Sequence, residues 1–107
     1  MKLKFLLIGL FFTIISFAQN TAKVSGIITD KDSKQPVSFV SVSLKGTMIN
    51  AESDINGNYK IAMKPGKYTI VYAFIGYKTF EKAITVAADE TITENIALQE
   101  NSNSILS

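Results

Sequence analysis

Between Gly66 and Gly76 the even positions Tyr68, Ile70, Tyr72 and Phe74 form an aromatic and β-branched row at a spacing of two. Residues at that spacing share one face of an extended strand, whereas a helix would scatter them around its axis. Turn chemistry brackets the row. Asp54-Ile55-Asn56-Gly57 offers a side-chain acceptor at its first position and a glycine at its fourth, which suits a type I turn with a left-handed exit. Pro65-Gly66 marks the next reversal, and Gly76 breaks the phase before Tyr77. Asp54, Gly57, Gly66 and Gly76 are therefore expected as structural turn residues. The stretch from Asp54 to Tyr77 reads as two strands joined by turns, the central hairpin of a small β-sandwich.

The same period runs through the rest of the chain. A first strand over Lys23 to Thr29 puts Val24 and Ile28 on one face, with Gly26 between them where a neighbouring chain can approach closely. Asp30 to Pro36 is polar and reads as a solvated connection. From Val37 to Leu44, Val40, Val42 and Leu44 alternate with Ser41 and Ser43, as in a half-buried strand. Met48 to Ser53 is a weaker strand suited to an edge. Asn58 to Met63 turns Tyr59, Ile61 and Met63 inward and is expected to pair with the preceding strand across the Asp54 turn. The fifth strand is unusual because Val71, Ala73 and Ile75 are as apolar as the even positions. Either a loop covers that side or the domain packs there against something else. Thr79 to Val86 and Thr91 to Leu98 complete seven strands. If these two form a hairpin through Ala87-Ala88-Asp89, Ile84 faces Ile92, Phe80 faces Ile96, and Lys82 faces Glu94.

The start of the chain is different in kind. Lys2 and Lys4 precede an almost wholly apolar run from Phe5 to Phe17, and Ser16-Phe17-Ala18 supplies small residues for cleavage, the pattern of a secretory signal over Met1 to Ala18. The run is shorter than the roughly 20 residues a membrane span requires. The expectation is an exported chain, with no membrane span after cleavage and a flexible leader over residues 19–22. Setting Lys2 and Lys4 aside leaves nine lysines against nine carboxylates out of the 11 basic and 9 acidic residues of the whole chain. That balance, without arginine, argues against nucleic acid as a partner. The absence of cysteine rules out a disulfide framework, so stability must come from packing.

Chemistry is sparse. Histidine and cysteine are both absent, which removes the usual general base, the thiol nucleophile and the commonest zinc ligands. Asp54 to Asn58 alternates oxygen side chains like the start of a calcium loop. Its glycine, however, is fourth rather than sixth, and the twelfth position is Pro65 rather than glutamate. The carboxylate pairs Asp30/Asp32, Glu52/Asp54 and Asp89/Glu90 lie in polar connections, where nothing raises a pKa for acid catalysis. Ser38, Ser41 and Ser43 have no neighbouring base. No catalytic, cofactor-binding or metal-binding residue is expected, and no cofactor. The aromatics Tyr59, Tyr68, Tyr72, Phe74, Tyr77 and Phe80 fall mostly in inward phase, as core. Tyr77, released from phase by Gly76, is either an exposed contact or a plug at the strand end.

Several of these signals together carry a resemblance. Val24 to Asp30, Gln35-Pro36-Val37, Val40-Ser41-Val42, Lys45-Gly46-Thr47, Asp54 to Gly57, Gly66-Lys67-Tyr68 and Ile75-Gly76-Tyr77 make the chain resemble the carboxypeptidase-regulatory-like domain family over about Val24 to Leu98. The resemblance implies an all-β fold, a seven-stranded antiparallel, Greek-key-like sandwich of the transthyretin (prealbumin) type, spanning residues 23–99 and without catalysis of its own. In Bacteroidetes-type bacteria such domains commonly precede the plug of outer-membrane TonB-dependent receptors. Plug and barrel sequence is absent here, and residues 100–107 read as a disordered tail. The expected role is a docking or accessory domain of the bacterial envelope, in the periplasm, at the outer membrane or secreted. Its partner would be a protein such as an outer-membrane receptor, with Val71, Ala73, Ile75 and Tyr77 as the candidate contact surface. The alternative is a small secreted module that binds a glycan or peptide through loops at one end.

Overall fold

Eight strands carry the alternating pattern into two facing sheets. The structure, a computed structural model, describes residues 21–101. The expected signal and the residues numbered 102–107 lie outside the described residues. The strands are β1 (Ala22–Asp30), β2 (Ser41–Leu44), β3 (Asn50–Glu52), β4 (Asn58–Met63), β5 (Gly66–Ala73), β6 (Phe80–Val86), β7 (Thr91–Thr93) and β8 (Ile96–Leu98). In the first sheet β1 pairs with β4 on one side and with β7 and then β8 on the other; the second sheet has the order β3-β2-β5-β6.

The inward phase is the one the sequence indicates except at Phe80, expected to face inward with Ile84 but 39% exposed at the start of β6. Val24 and Ile28 of β1, Tyr59, Ile61 and Met63 of β4, and Ile96 and Leu98 of β8 face Val42 and Leu44 of β2, Ile70 and Tyr72 of β5, and Ile84 and Val86 of β6 in one buried cluster. Each such aliphatic side chain contributes on the order of 1.5–3 kcal/mol through its removal from water. Edge strand β3 is short and pairs only with β2.

Three expected hairpins are not present. The Asp54 turn connects β3 of the second sheet to β4 of the first, and Pro65-Gly66 connects β4 back to β5 in the second. Both are corners between layers, so neither strand pair exchanges ladder hydrogen bonds. The turn chemistry itself is as read: the Asp54 carboxylate accepts from the Asn56 and Asn58 amides, each at 2.9 Å, and Gly57 has φ 81°. A side chain at Gly57 would also press on the Ile28 carbonyl oxygen, 2.6 Å from an ideal Cβ.

The third missing hairpin is β6 with the strand after it. Residues 87–90 carry the chain from the second sheet into the first at the end where β1 begins, and the Lys23 amide bonds the Glu90 carbonyl there at 2.9 Å. The chain then runs in the same direction as β1. β7 and β8 consequently pair with β1 in parallel, with registers Val24↔Ile92 and Ile28↔Ile96. The expected seventh strand is thus divided in two. Lys82 and Glu94 still meet, Nζ to Oε1 at 3.5 Å, but across the open side between the layers rather than as cross-strand neighbours.

Two further boundaries differ. Val37 to Val40 precedes β2 as a turn instead of forming its first half, and β1 begins at Ala22, inside the expected leader, paired with Met63. Among the described residues no helix is long and apolar enough to cross a membrane, which says nothing of a β-barrel.

Between β7 and β8 the main chain at Glu94 dips into the space above Gly26. An ideal Cβ at Gly26 would overlap the Glu94 carbonyl group, so this close approach requires glycine. The Tyr59 hydroxyl donates to that carbonyl at 2.7 Å. Since a hydroxyl has one proton, the 2.8 Å contact between Tyr59 and Tyr72 must run from Tyr72 as donor to Tyr59 as acceptor. The rings meet edge to face at 5.5 Å. The chain of bonds thus runs from Tyr72 in the second sheet through Tyr59 in the first to the main chain.

This direction predicts an asymmetry. Tyr72→Phe removes one bond and leaves Tyr59 with its acceptor, a loss of about 0.5–1.5 kcal/mol. Tyr59→Phe strands the buried Tyr72 hydroxyl and frees the Glu94 carbonyl, a loss of about 2–4 kcal/mol. Urea midpoints at unchanged slope measure both; equal losses would contradict the direction.

Candidate functional site

Four segments meet at the end of the sandwich where the chain leaves it: 31–40, 53–57, 74–79 and 99–101. The first is tied down by Ser53, which is buried. Its hydroxyl accepts from the Val40 amide at 2.9 Å and donates to the Val37 carbonyl at 2.8 Å. The Phe39 amide bonds the Ser53 carbonyl at 2.9 Å, and Phe39 is held at φ 58°. A bulky residue in the left-handed region is strained. The bonds that hold it there turn the ring outward, leaving it 57% exposed. Beside it Ile55 rides the Asp54 turn, 68% exposed, with its carbonyl accepting from the Ser38 hydroxyl at 3.1 Å. Ile75, just past β5, is 84% exposed.

The sheet order β3-β2-β5 sets these three along one rim as Ile55, Phe39, Ile75. Sequence reasoning named only Ile75. Signals for the others were present: Phe39 falls in the wet phase with Ser41 and Ser43, and Ile55 is the one apolar residue in a polar turn.

The other candidate contact residues are distributed differently. Val71 and Ala73 are half-buried on the outer face of the second sheet, paired with Ser43 and Ser41. Ile75 continues their line onto the rim. Tyr77 is withdrawn. Its ring lies 6.1 Å from that of Phe74, and its hydroxyl donates to Asp30 Oδ2 at 2.8 Å. Of the turn glycines, Gly66 opens β5 at φ 153° and Gly76 sits in the 74–79 segment at φ 90°.

Asp30 corrects an expectation. Read as part of a solvated connection, it is the last residue of β1 and only 5% exposed. Besides Tyr77 it accepts from the Asp32 and Ser33 amides, at 2.8 and 2.9 Å. The Ser33 amide first, then the Tyr77 hydroxyl, lowers its pKa to about 2. Burial and the Asp30 carboxylate push Tyr77 up to about 12. Glu100, whose carboxyl lies against Asp30 through a shared hydrogen bond, is raised. Glu100 also forms an antiparallel bridge with Tyr77. Flanking bonds run from the Lys78 amide to the Gln99 carbonyl at 2.9 Å and from the Asn101 amide to the Gly76 carbonyl at 2.8 Å. The departing chain is thereby laced to the 74–79 segment.

A second concavity lies on the outer face of the first sheet. It is an open groove of about 740 Å³ over Gly26 and Ile27, walled by Asn58, Lys60 and Asn95 and reaching Asp54. Tyr77 is not part of it. Among the described residues no group of acidic side chains is arranged to hold a metal ion.

The carboxyls set a pH dependence. Asp30 is depressed from an ordinary 3.8, so its stabilising effect is complete above that value and lost as pH falls toward 2. Glu100 is raised from an ordinary 4.5, so its effect is complete below that value and lost as pH rises. Together they favour a maximum of stability between pH 3.8 and 4.5. Tyr77 contributes a further loss as pH rises from 10 toward 12. Urea unfolding across pH checks this: Glu100→Gln is expected to flatten the fall above pH 4.5, and Tyr77→Phe the alkaline loss.

The chain matches the profile of the CarboxypepD_reg-like domain over residues 24–106. It is 37% identical over 87 residues to the TonB-dependent receptor SusC of Bacteroides thetaiotaomicron, an alignment that covers 81% of this chain and 8% of the receptor. It is 36% identical over 63 residues to the TonB-dependent receptor P39 of Formosa agariphila, covering 59% of this chain and 6% of that protein. The chain therefore spans under a tenth of the length of these relatives. Among solved structures it is similar to a chain in the type II cohesin–X-dockerin complex of Acetivibrio cellulolyticus, an N-terminal interface mutant. There the TM-score is 0.63 at 26% identity, over 78% of this chain and 61% of the other. With a profile match from the first strand to beyond the last, and the sandwich that goes with it, the chain belongs to the CarboxypepD_reg-like domain family.

Proposed function

We propose that the chain is a non-catalytic docking domain of the bacterial envelope, exported to the periplasm or the outer membrane, whose partner is an outer-membrane receptor of the TonB-dependent kind. The observation that carries this reading is the disproportion of the alignment with SusC, 81% of this chain against 8% of the receptor. A unit that accounts for so small a share of a large envelope protein is a module attached to it. The similarity to a chain of a cohesin–X-dockerin complex, itself an assembly of proteins, supports a role in protein contact. So does the absence of histidine and cysteine from the chain, which leaves little with which to run a reaction near neutral pH.

The contact surface runs along β5 from Val71 and Ala73 to Ile75 on the rim, with Tyr77 supporting the rim from behind through Asp30. Exposed apolar area of this kind marks protein contact sites. A second reading, glycan or peptide binding, is favoured by the groove over Gly26, whose amide, hydroxyl and amine groups suit polar recognition. Saturable binding of an oligosaccharide, lost in Lys60→Ala, would support that reading over docking.

The docking role is tested in cells with a photo-crosslinking amino acid at position 75. The expected result is a crosslink to an outer-membrane barrel protein, identified by mass spectrometry, that falls at least about tenfold when Val71→Asp is added, as loss of a central contact does. A folded, exported protein that gives no crosslink there would overturn the reading.

A further inference from the structure

We propose that the free edge of β4 takes up an extended acidic segment of a partner chain as an added strand, laid along Lys60, Ala62 and Lys64. Among the described residues β4 pairs only with β1. In an antiparallel pair, residues that exchange both ladder bonds alternate with residues that exchange none. Three bonds on the far side of β1 show which are which. The Lys23 amide donates to the Glu90 carbonyl at 2.9 Å and the Ser25 carbonyl accepts from the Glu94 amide at 2.8 Å. The Ile27 amide donates to Asn95 Oδ1 at 3.0 Å. Lys23, Ser25 and Ile27 thus turn their peptide groups away from β4, and their partners Ala62, Lys60 and Asn58 turn theirs away from β1. Asn58 is already satisfied: its carbonyl accepts from the Asp54 amide and its amide donates to the Asp54 carboxylate, each at 2.9 Å. The peptide groups of Lys60 and Ala62 face the free edge.

There is room beside them. The groove over Gly26 is lined by Asn58, Tyr59 and Lys60 of β4 and by Glu52 of β3. The inward row of β4, Tyr59, Ile61 and Met63, is apolar and buried, so no inward charge blocks this strand as Lys82 does in β6. At six residues β4 is also twice as long as β3, which has three.

Charge selects the occupant. Lys60 and Lys23 lie on the outer face of the sheet, on diagonal neighbours of the ladder, and Lys64 is exposed just past the end of β4. Among the described residues none of the three is in an ion pair. Edge lysines deter neutral and basic strands. A second copy of β4 would bring its own lysines against these, and like charges across a pair are unfavourable. A strand carrying carboxylates is attracted instead, with Glu52 and Asp54 at the Asn58 end setting its acidic residues toward Lys60 and Lys64. Main-chain bonds would supply affinity and the lysines specificity, as in other strand additions. This deepens the second reading of the groove and rests on it, while contact through Ile75 is independent of it.

The test uses the full chain, titrated with a peptide that alternates threonine with glutamate and with one that alternates threonine with lysine. The glutamate peptide is expected to slow exchange of the Lys60 and Ala62 amides at least about tenfold, and the lysine peptide to leave them unchanged. Ala62→Pro removes an outward donor without touching the bonds to β1, a position where an edge strand tolerates proline. It is expected to abolish the slowing at Lys60 while the Ile61 amide stays protected. Lys60→Glu, which keeps the whole backbone, is expected to weaken the glutamate peptide at least about tenfold. Binding of the glutamate peptide that leaves both amides unprotected would overturn the proposal. So would slowing that grows with protein concentration in the absence of peptide, which would assign the edge to a second copy. An oligosaccharide that binds where the peptide does not would keep the groove as a site and reject strand addition; a chain that binds neither would reject both.

Discussion

The structure turns on one backbone carbonyl. Between β7 and β8 the chain gives up its pairing with β1 and lowers the Glu94 main chain into the sandwich, into space that only glycine at position 26 leaves open. The carbonyl is satisfied there by Tyr59, which is in turn satisfied by Tyr72 from the opposite sheet. Burial raises both phenols, most strongly Tyr72, which donates to Tyr59 and so has the more reason to keep its proton. The Glu94 amide bonds the Ser25 carbonyl, and its carboxylate reaches Lys82. One residue thus links two strands of its own sheet and both layers, without a disulfide in the chain.

The placement of Glu94 also explains how the open side is guarded. Among the described residues β6 has a free edge of seven residues, the kind that invites pairing with another chain. Lys82 points inward from the middle of it and is held by Glu94, an inward charge that discourages a strand from adding there. The opposite edge, β3, has only three residues. What remains available in the second sheet is the rim, where the connecting segments present apolar side chains.

How far this was legible depends on what a local pattern encodes. Period two fixed which residues face inward, because burial on one side of a strand is a property of that strand alone, and Val24, Tyr59, Ile70, Tyr72 and Ile84 lie where alternation puts them. Pairing is not such a property. Asp54 to Gly57 specifies a reversal with a left-handed exit, but the same reversal serves a hairpin or a corner between layers, and the choice depends on the twist of both sheets. Lys82 and Glu94 were matched correctly through a register that does not exist. Their charges select each other at short range whether the strands are paired or stacked. Asp30 was missed because its neighbours in sequence are polar, while its burial comes from Tyr77, 47 residues away. Phe39 was visible as an apolar residue in the wrong phase, but the strain that turns it outward is a backbone property that composition does not carry.

The parallel arrangement of first and last strands has a mechanical side. β1 starts at one end of the sandwich and β8 finishes at the other, joined side by side, with three register pairs to β7 and three to β8. Tension applied between the two ends of the domain would pull these neighbours along their length in opposite directions. The rungs would then be sheared together instead of being unzipped singly. Rupture under load is governed by the unfolding barrier rather than by equilibrium stability. Whatever its equilibrium stability, the domain can therefore be stiff along the line from Ala22 to Asn101 and yield readily when pulled across it.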